Sequence, residues 1–236
     1  MNITNRSFVF LVAFVIVASA SGCVTRTAFL YKPTIPLSVG PKTNSAIAVT
    51  RFADERGTRN VDYGLLGLLP LVPFAPQYYD QPEAGGRLVI TQDSYQIYPG
   101  ENFAQALVFD LKRSGLFSDP FYTDRDYPKE ADYVIHGVVH STRFRGKIFS
   151  YLVGPFSPYL WFVGLPVGHS TNEIALSVQL IDVQDKRVIW ENRYQRETSH
   201  VGGLYYNSKK YTAGYPTMIE EVNREIVAAI ERELRK

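Results

Sequence analysis

Two histidines four positions apart, His136 and His140, have the spacing by which a helix presents a pair of zinc ligands. Their neighbours Tyr133, Val134, Ile135, Val138 and Val139 favour a strand instead. On a strand, positions i and i+4 lie about 13 Å apart on one face, too far to share a metal. The chain has a single cysteine, which excludes an intramolecular disulfide and any multi-cysteine metal or iron–sulfur centre. No Gly-x-Ser-x-Gly elbow is present, and the adjacency of His169 and Ser170 defines no triad. Gly146-Lys147 lacks the preceding glycine and the following hydroxyl of a Walker loop, and there is no Gly-x-Gly-x-x-Gly. The carboxylate pairs Asp54/Glu55 and Asp124/Asp126 fall in turn-like contexts, where such residues serve local hydrogen bonds rather than a glycosidase dyad. The expectation is a protein with no catalytic residues, no cofactor and no metal. An envelope hydrolase, resting on His136, His140 or His169, is the enzymatic alternative.

The cysteine itself stands in a telling place. Arg6 and the amino terminus precede an unbroken apolar run from Phe8 to Val17, and small residues from Ala18 to Gly22 lead to Cys23. This is the charged, apolar and small-residue order of a secretory signal, too short for a membrane-spanning helix of about 20 residues. Ala20-Ser21-Gly22-Cys23 resembles the lipobox of bacterial lipoproteins, with Ala20 where leucine is commonest. That resemblance implies cleavage before Cys23 and acylation of its sulfur and new amino group. Val24, in place of an aspartate, favours the outer membrane, with the chain facing the periplasm. Residues 1–22 are then a signal peptide and residues 23–45, with three prolines, a lipidated tether.

The elements that follow fit one domain over residues 46–236. The chain is 45% apolar and 20% charged, and its net charge of +2 makes no electrostatic case for nucleic acid. Residues 46–52 alternate as a first strand. Residues 101–114 read as a helix with Phe103, Leu107 and Leu111 in one stripe and Gly115 at its left-handed end. Short strands are expected at 87–91 and 117–123 and a long one over 131–144, with Tyr133, Ile135 and Val139 on one face. Residues 173–183 and 187–196 form a hairpin, placing Ile174, Leu176, Val178 and Leu180 on one face and Val188, Trp190 and Tyr194 on one side. Thr217 and Glu220 have the form of a capping box before a final helix with Ile219, Val222, Ile226, Ile230 and Leu234 along its stripe. Glu220–Arg224 and Glu231–Arg235 have i,i+4 pairing along it. The fold class is α/β (α+β): a single mixed or antiparallel sheet with two main helices packed on one face.

This ordered set is similar to a group of bacterial envelope lipoproteins. The matching features are the lipobox, a first strand ending in Phe52 and an acidic turn, and a helix closing on Ser114-Gly115-Leu116-Phe117. A strand from Ala131 and the hairpin through Gln184-Asp185-Lys186 complete the set. The group shares a fold like the amino-terminal domain of TolB, found also in the curli secretion lipoprotein CsgG and in penicillin-binding-protein activator lipoproteins. The resemblance implies a domain that binds envelope proteins without catalysis, and it carries no functional residue other than Cys23.

Two insertions depart from that pattern. Residues 63–79 and 148–167 hold no charge, and each carries three prolines, which exclude a regular helix and make a central strand an unexpected outcome. Leu66, Leu69 and Phe74 in the first, and Tyr151, Phe156, Tyr159, Trp161 and Phe162 in the second, suit a membrane interface or a partner surface. The insertions could equally fold into the core or pack on each other. The leading expectation is a lipid-anchored, non-enzymatic interaction or assembly component with an envelope protein partner. An oligomeric secretion component of the CsgG kind is the alternative, although residues 148–167 lack the alternation of a barrel hairpin.

Overall fold

Apolar strands alternate with two amphipathic helices through most of the chain, and a computed structural model shows how they assemble. It describes residues 26–34, 43–84, 94–207 and 214–235. Among these the strands are β1 (Arg26–Ala28), β2 (Ala46–Thr50), β3 (Ala53–Asp54), β4 (Asn60–Asp62), β5 (Phe74–Tyr79) and β6 (Ser94–Gln96). They continue as β7 (Asp119–Thr123), β8 (Tyr133–Ser141), β9 (Phe144–Phe149), β10 (Gly168–Asp182) and β11 (Arg187–Gly202). The α-helices are α1 (Pro99–Ser114), α2 (Ser157–Phe162) and α3 (Gly214–Leu234). The signal segment, Cys23 and the expected strand at 87–91 lie outside the described residues.

Nine strands form one open mixed sheet, while β1 and β6 pair with each other in parallel. Strand β10 is its spine. Strand β11 runs antiparallel along its whole length, from Gly168–Gly202 to Asp182–Arg187. The other edge of β10 is shared: β9 takes Gly168 to Asn172 and β8 takes Ala175 to Asp182. The sheet therefore forks into a β9–β5–β4 wing and a β8–β2–β7 wing. Strand β2 is parallel to both β7 and β8, and α1 supplies the crossover that a parallel β2–β7 pair requires.

The expected helical stripes form the core. Phe103, Leu107 and Leu111 of α1 and Ile219, Val222, Ile226 and Ile230 of α3 lie with Ile47, Val49, Ile135, Val139, Ile174, Leu176, Val178 and Leu180 in one buried cluster. Both helices thus cover one face, as expected. Gly115 ends α1 at φ 63°, with its N–H on Lys112 O. Gly137 lets the Phe52 ring lie flat on β8, where a Cβ would come within 2.4 Å of it.

Several local expectations change. The stretch 131–144 is two strands, because the chain turns at Thr142 from one wing to the other. Thr142 is fully buried; its hydroxyl donates to Asp80 O at 3.2 Å and accepts from Arg56 Nη1 at 2.7 Å. The side chain of Arg56, in the turn after the first strand, is almost wholly buried and bonded to Asp54 and Glu83. Burial works against its charge, but the two carboxylates prevail and its pKa is raised. A bulge between Leu180 and Ile181 puts Val188 opposite Ile181, so Val188 turns away from Trp190 and Tyr194, and Ile189 packs on the main core instead.

Helix α3 begins at Gly214, three residues before Thr217, so the capping box does not form. Glu220 accepts instead from the N–H of Thr34, while Glu231–Arg235 is paired as expected.

Strand β5 is a further correction: residues 74–79 form an internal strand despite Pro76. The carbonyl of Pro76 accepts from Tyr63 N–H at 3.1 Å, on the side where pairing with β4 has ended at Asp62–Gln77. The missing N–H faces that same side, so the β5–β9 ladder loses no bond.

Candidate functional site

The β5–β9 ladder joins the two charge-free insertions. Its register runs from Phe74–Phe149 to Tyr79–Phe144, so residues 63–73 and 150–167 emerge side by side at the Gly168 end of β10. There they bond to each other. Leu71 N–H donates to Leu152 O at 2.9 Å, Ser150 N–H to Pro73 O at 3.1 Å, and Pro70 bridges Val153. Ser150 Oγ also donates to Val72 O. Gly154, at φ +56°, sits where a Cβ would come within 2.7 Å of Leu68 O, so the two turns approach more closely than any side chain would permit. The structure shows the two segments packed on each other as one subdomain, rather than folded into the main core.

A small core holds this tip together. Ala75, Ile148, Trp161 and Val167 are buried in a cluster of their own, with Tyr151 and Leu204 against it. Trp161 is 8% exposed, and its Nε1–H donates to Phe149 O at 3.0 Å. Expected as a contact residue, Trp161 is instead the internal post of the tip, because α2 turns its indole inward onto β9. Tyr151 is half-buried and donates its hydroxyl to Pro166 O at 2.7 Å. The other expected contact residues, Leu66, Leu69, Phe74, Phe156, Tyr159 and Phe162, are all exposed.

The exposed surface is wider than those residues. Leu71 is 81% exposed and Val163 76%, and Leu65, Leu68, Leu152 and Leu165 join them. These aliphatic positions lie in the same charge-free runs, so the absence of charge marked them better than aromatic content did. Leu71, Tyr151 and Leu152 hold left-handed backbone with φ between 54° and 67°, a conformation that costs a non-glycine residue about 1 kcal/mol or more. These strained positions lie beside the exposed apolar side chains of the tip.

Charges begin at the shoulder of the tip. Asp62 accepts from Gly64 N–H at 2.7 Å and from Tyr79 Oη at 2.6 Å, which starts the 3₁₀ turn Gly64–Leu68. Lys147 Nζ lies 5.0 Å from the centre of the Phe74 ring. Farther down, Arg145 pairs with Glu197 at 2.7 Å, and Arg143 reaches Asp80 at 3.4 Å and Glu173 at 3.5 Å. Among the described residues the tip is an apolar cap, with Asp62 and Lys147 at its shoulder and the ion-paired arginines below them.

The residues that first suggested chemistry are dispersed. His136 Nε2 lies 2.9 Å from Asp126 O, beside the Tyr127 ring. His140 contacts Ser177 Oγ at 2.9 Å and Glu55 at 3.3 Å. His169 and Ser170 are neighbours on β10, so their side chains leave opposite faces of the sheet. Among the described residues no group of three His, Cys, Asp or Glu is placed to hold a metal ion. A cavity of about 320 Å³ lies between β11 and α3, lined by Arg196, His200 and Glu221 among others. No described helix is long and apolar enough to cross a membrane.

No protein-family model and no curated protein matches this chain in sequence. Solved structures do align with it. A DUF330-family protein from Xanthomonas campestris is 13% identical with a TM-score of 0.46, over 89% of this chain and 97% of that one. PelC from Paraburkholderia phytofirmans, solved as a dodecamer, is 14% identical with a TM-score of 0.36, over 82% and 95%. The lipoprotein GNA1162 from Neisseria meningitidis is 11% identical with a TM-score of 0.27, over 78% and 99%. All three TM-scores lie below 0.5, so they assign no role to any residue here.

Proposed function

We propose that this chain is a lipid-anchored component of the bacterial cell envelope that works by contact rather than catalysis. In this reading Cys23 carries the acyl chains, Val24 directs the protein to the outer membrane, and the domain faces the periplasm. The observation that supports a contact role most directly is the tip. Two separate charge-free segments are brought together, fixed by mutual hydrogen bonds and left with their leucines and aromatics exposed. An apolar patch of this kind on a folded domain marks an interaction site. An envelope protein is the expected partner of the assembly.

Labelled palmitate should enter the wild-type protein in cells and fail to enter Cys23→Ser, which should also leave the membrane fraction. Equal labelling of the two would remove the anchor. Photo-crosslinkers placed at Leu69 on the tip and at Glu191 on the β11 edge test the contact role. A defined protein adduct from either position supports it, and no protein adduct from both counts against an assembly component.

A further inference from the structure

We infer that the tip lies in the interfacial layer of the bilayer that holds Cys23, so that the domain sits on the membrane at two points, acyl chains and apolar cap. This rests on the reading of Cys23 as acylated. Three observations carry it from an apolar patch to a lipid surface.

The first is the direction in which the anchor leaves. Phe29 packs on Phe103, and Tyr31 bonds Asp110 and packs on Phe109, so residues 29–31 follow α1 from its start toward its end. Traced backwards through Ala28 to Arg26, the chain runs past the amino-terminal end of α1, alongside Gln96 to Ser94. Helix α1 runs opposite to β2, since Gly100 O accepts from Phe52 N–H at 2.9 Å and Leu116 O from Thr43 N–H at 2.8 Å. Strand β2 is parallel to β8, and β8 is antiparallel to β10. The start of α1 therefore faces the Gly168 end of β10, which is the end that carries the tip.

The second is distance. Pairing of Arg26–Ala28 with β6 fixes the chain to the domain from residue 26 onward. Only residues 24 and 25 separate that strand from Cys23, a reach of about 10 Å at full extension. The acyl chains hold the domain close to the bilayer, tip end foremost, rather than at the end of a long tether.

The third is chemistry. Phe156, Tyr159 and Phe162 combine with Leu69, Leu71 and Val163 in the mixture of ring and aliphatic side chains that settles at the headgroup boundary. The tip's backbone groups pair across its two turns, which lowers the cost of leaving water. Lys147 lies alongside Phe74, where its stem can follow the apolar surface while its ammonium reaches lipid phosphate. The ion-paired arginines below set the depth, because they would be costly to submerge. A tip of short turns lies in the interface and does not cross the bilayer.

The acylated full-length mature protein in vesicles of phosphatidylethanolamine and phosphatidylglycerol tests this. Acylation leaves Cys23 without a thiol, so Leu69→Cys, Phe162→Cys and Val188→Cys each introduce a unique spin-label site, all at exposed positions. Val188 lies at the far end of the sheet, opposite Ile181. Labels at 69 and 162 should collide mainly with dissolved oxygen, and their collision with a water-soluble nickel chelate should fall several-fold below that at 188. Nickel collision at 69 and 162 equal to that at 188 would overturn the inference. Shielding of both sites from both reagents would do so too, by placing a protein or a second copy on the tip. Mass spectrometry of the Cys23 peptide in the same preparation separates the two premises. An unmodified cysteine defeats the anchor, whereas an acylated one with a water-exposed tip defeats only the insertion.

Discussion

Tyr31 and Asp110 are 79 positions apart, yet the phenol donates to the carboxylate, and Asn223 Nδ2 on α3 donates to the same oxygen at 2.9 Å. Arg113 Nη1 meets the other oxygen at 3.2 Å. One acidic side chain thus joins the amino-terminal segment to both core helices. Burial pushes the Asp110 carboxyl above its ordinary range, and the donors from Tyr31, Asn223 and Arg113 only partly restore it. Burial and the same carboxylate push the Tyr31 phenol up. A carboxyl whose folded pKa is raised binds its proton more tightly in the native state. Its stabilising contribution is complete below the unfolded value near 3.9 and is lost as pH rises through the folded value. Asp110→Asn has no such titration. Its stability relative to wild type should therefore climb from pH 3.5 toward neutrality, as read by denaturant unfolding at each pH. A difference that stays flat, or falls with pH, would remove the raised carboxyl from the account. Tyr31→Phe should cost about 2 kcal/mol at neutral pH, because it withdraws a donor from a buried charge.

At the scale of elements, the tip depends on the close approach of two turns. Gly154→Ala would force a side chain into left-handed backbone and against Leu68 O, at a cost of about 1–2 kcal/mol or more. The body should be unaffected, because α1 and α3 pack in a different cluster from Trp161. Hydrogen exchange should quicken in residues 64–71 and 150–165 and stay unchanged in both helices. Equal acceleration throughout would show that tip and body unfold together. Residues 150–167 form a 3₁₀ turn at Gly154–Phe156 and a short helix, not the extended hairpin through which a secretion barrel of the alternative reading would be built.

For the whole molecule, the consequence is that residues 26–34 belong to the domain. Read as part of a tether, they instead pair Arg26–Ala28 with β6, pack Phe29 and Tyr31 on Phe103 and Phe109 of α1, and place Thr34 N–H on Glu220. The loss of two packed aromatics alone should make a chain beginning at residue 35 less stable than one beginning at residue 26 by about 3 kcal/mol. In a domain of this size that lowers Tm by roughly 6–12 °C. Scanning calorimetry of the two chains gives the comparison, and equal midpoints would restore the tether.

The sequence by itself determined the periodic parts. The stripes at Phe103, Leu107, Leu111 and at Ile219, Val222, Ile226, Ile230 are local patterns, and a helix made from them has one apolar side to bury whatever it meets. The β10–β11 hairpin was legible for the same reason, as was the absence of charge in residues 63–79 and 148–167. Tertiary structure decided what period cannot encode. Pro76 is tolerated in a strand because its open side faces the end of β4, a fact about a neighbour and not about the residue. A bulge at Leu180 reverses Val188, since one extra residue flips the pleat. Trp161 and Phe162 are adjacent aromatics in one charge-free run, yet one anchors the tip and the other faces outward. Only the fold of α2 over β9 separates them, because burial belongs to the surface a side chain meets rather than to its type.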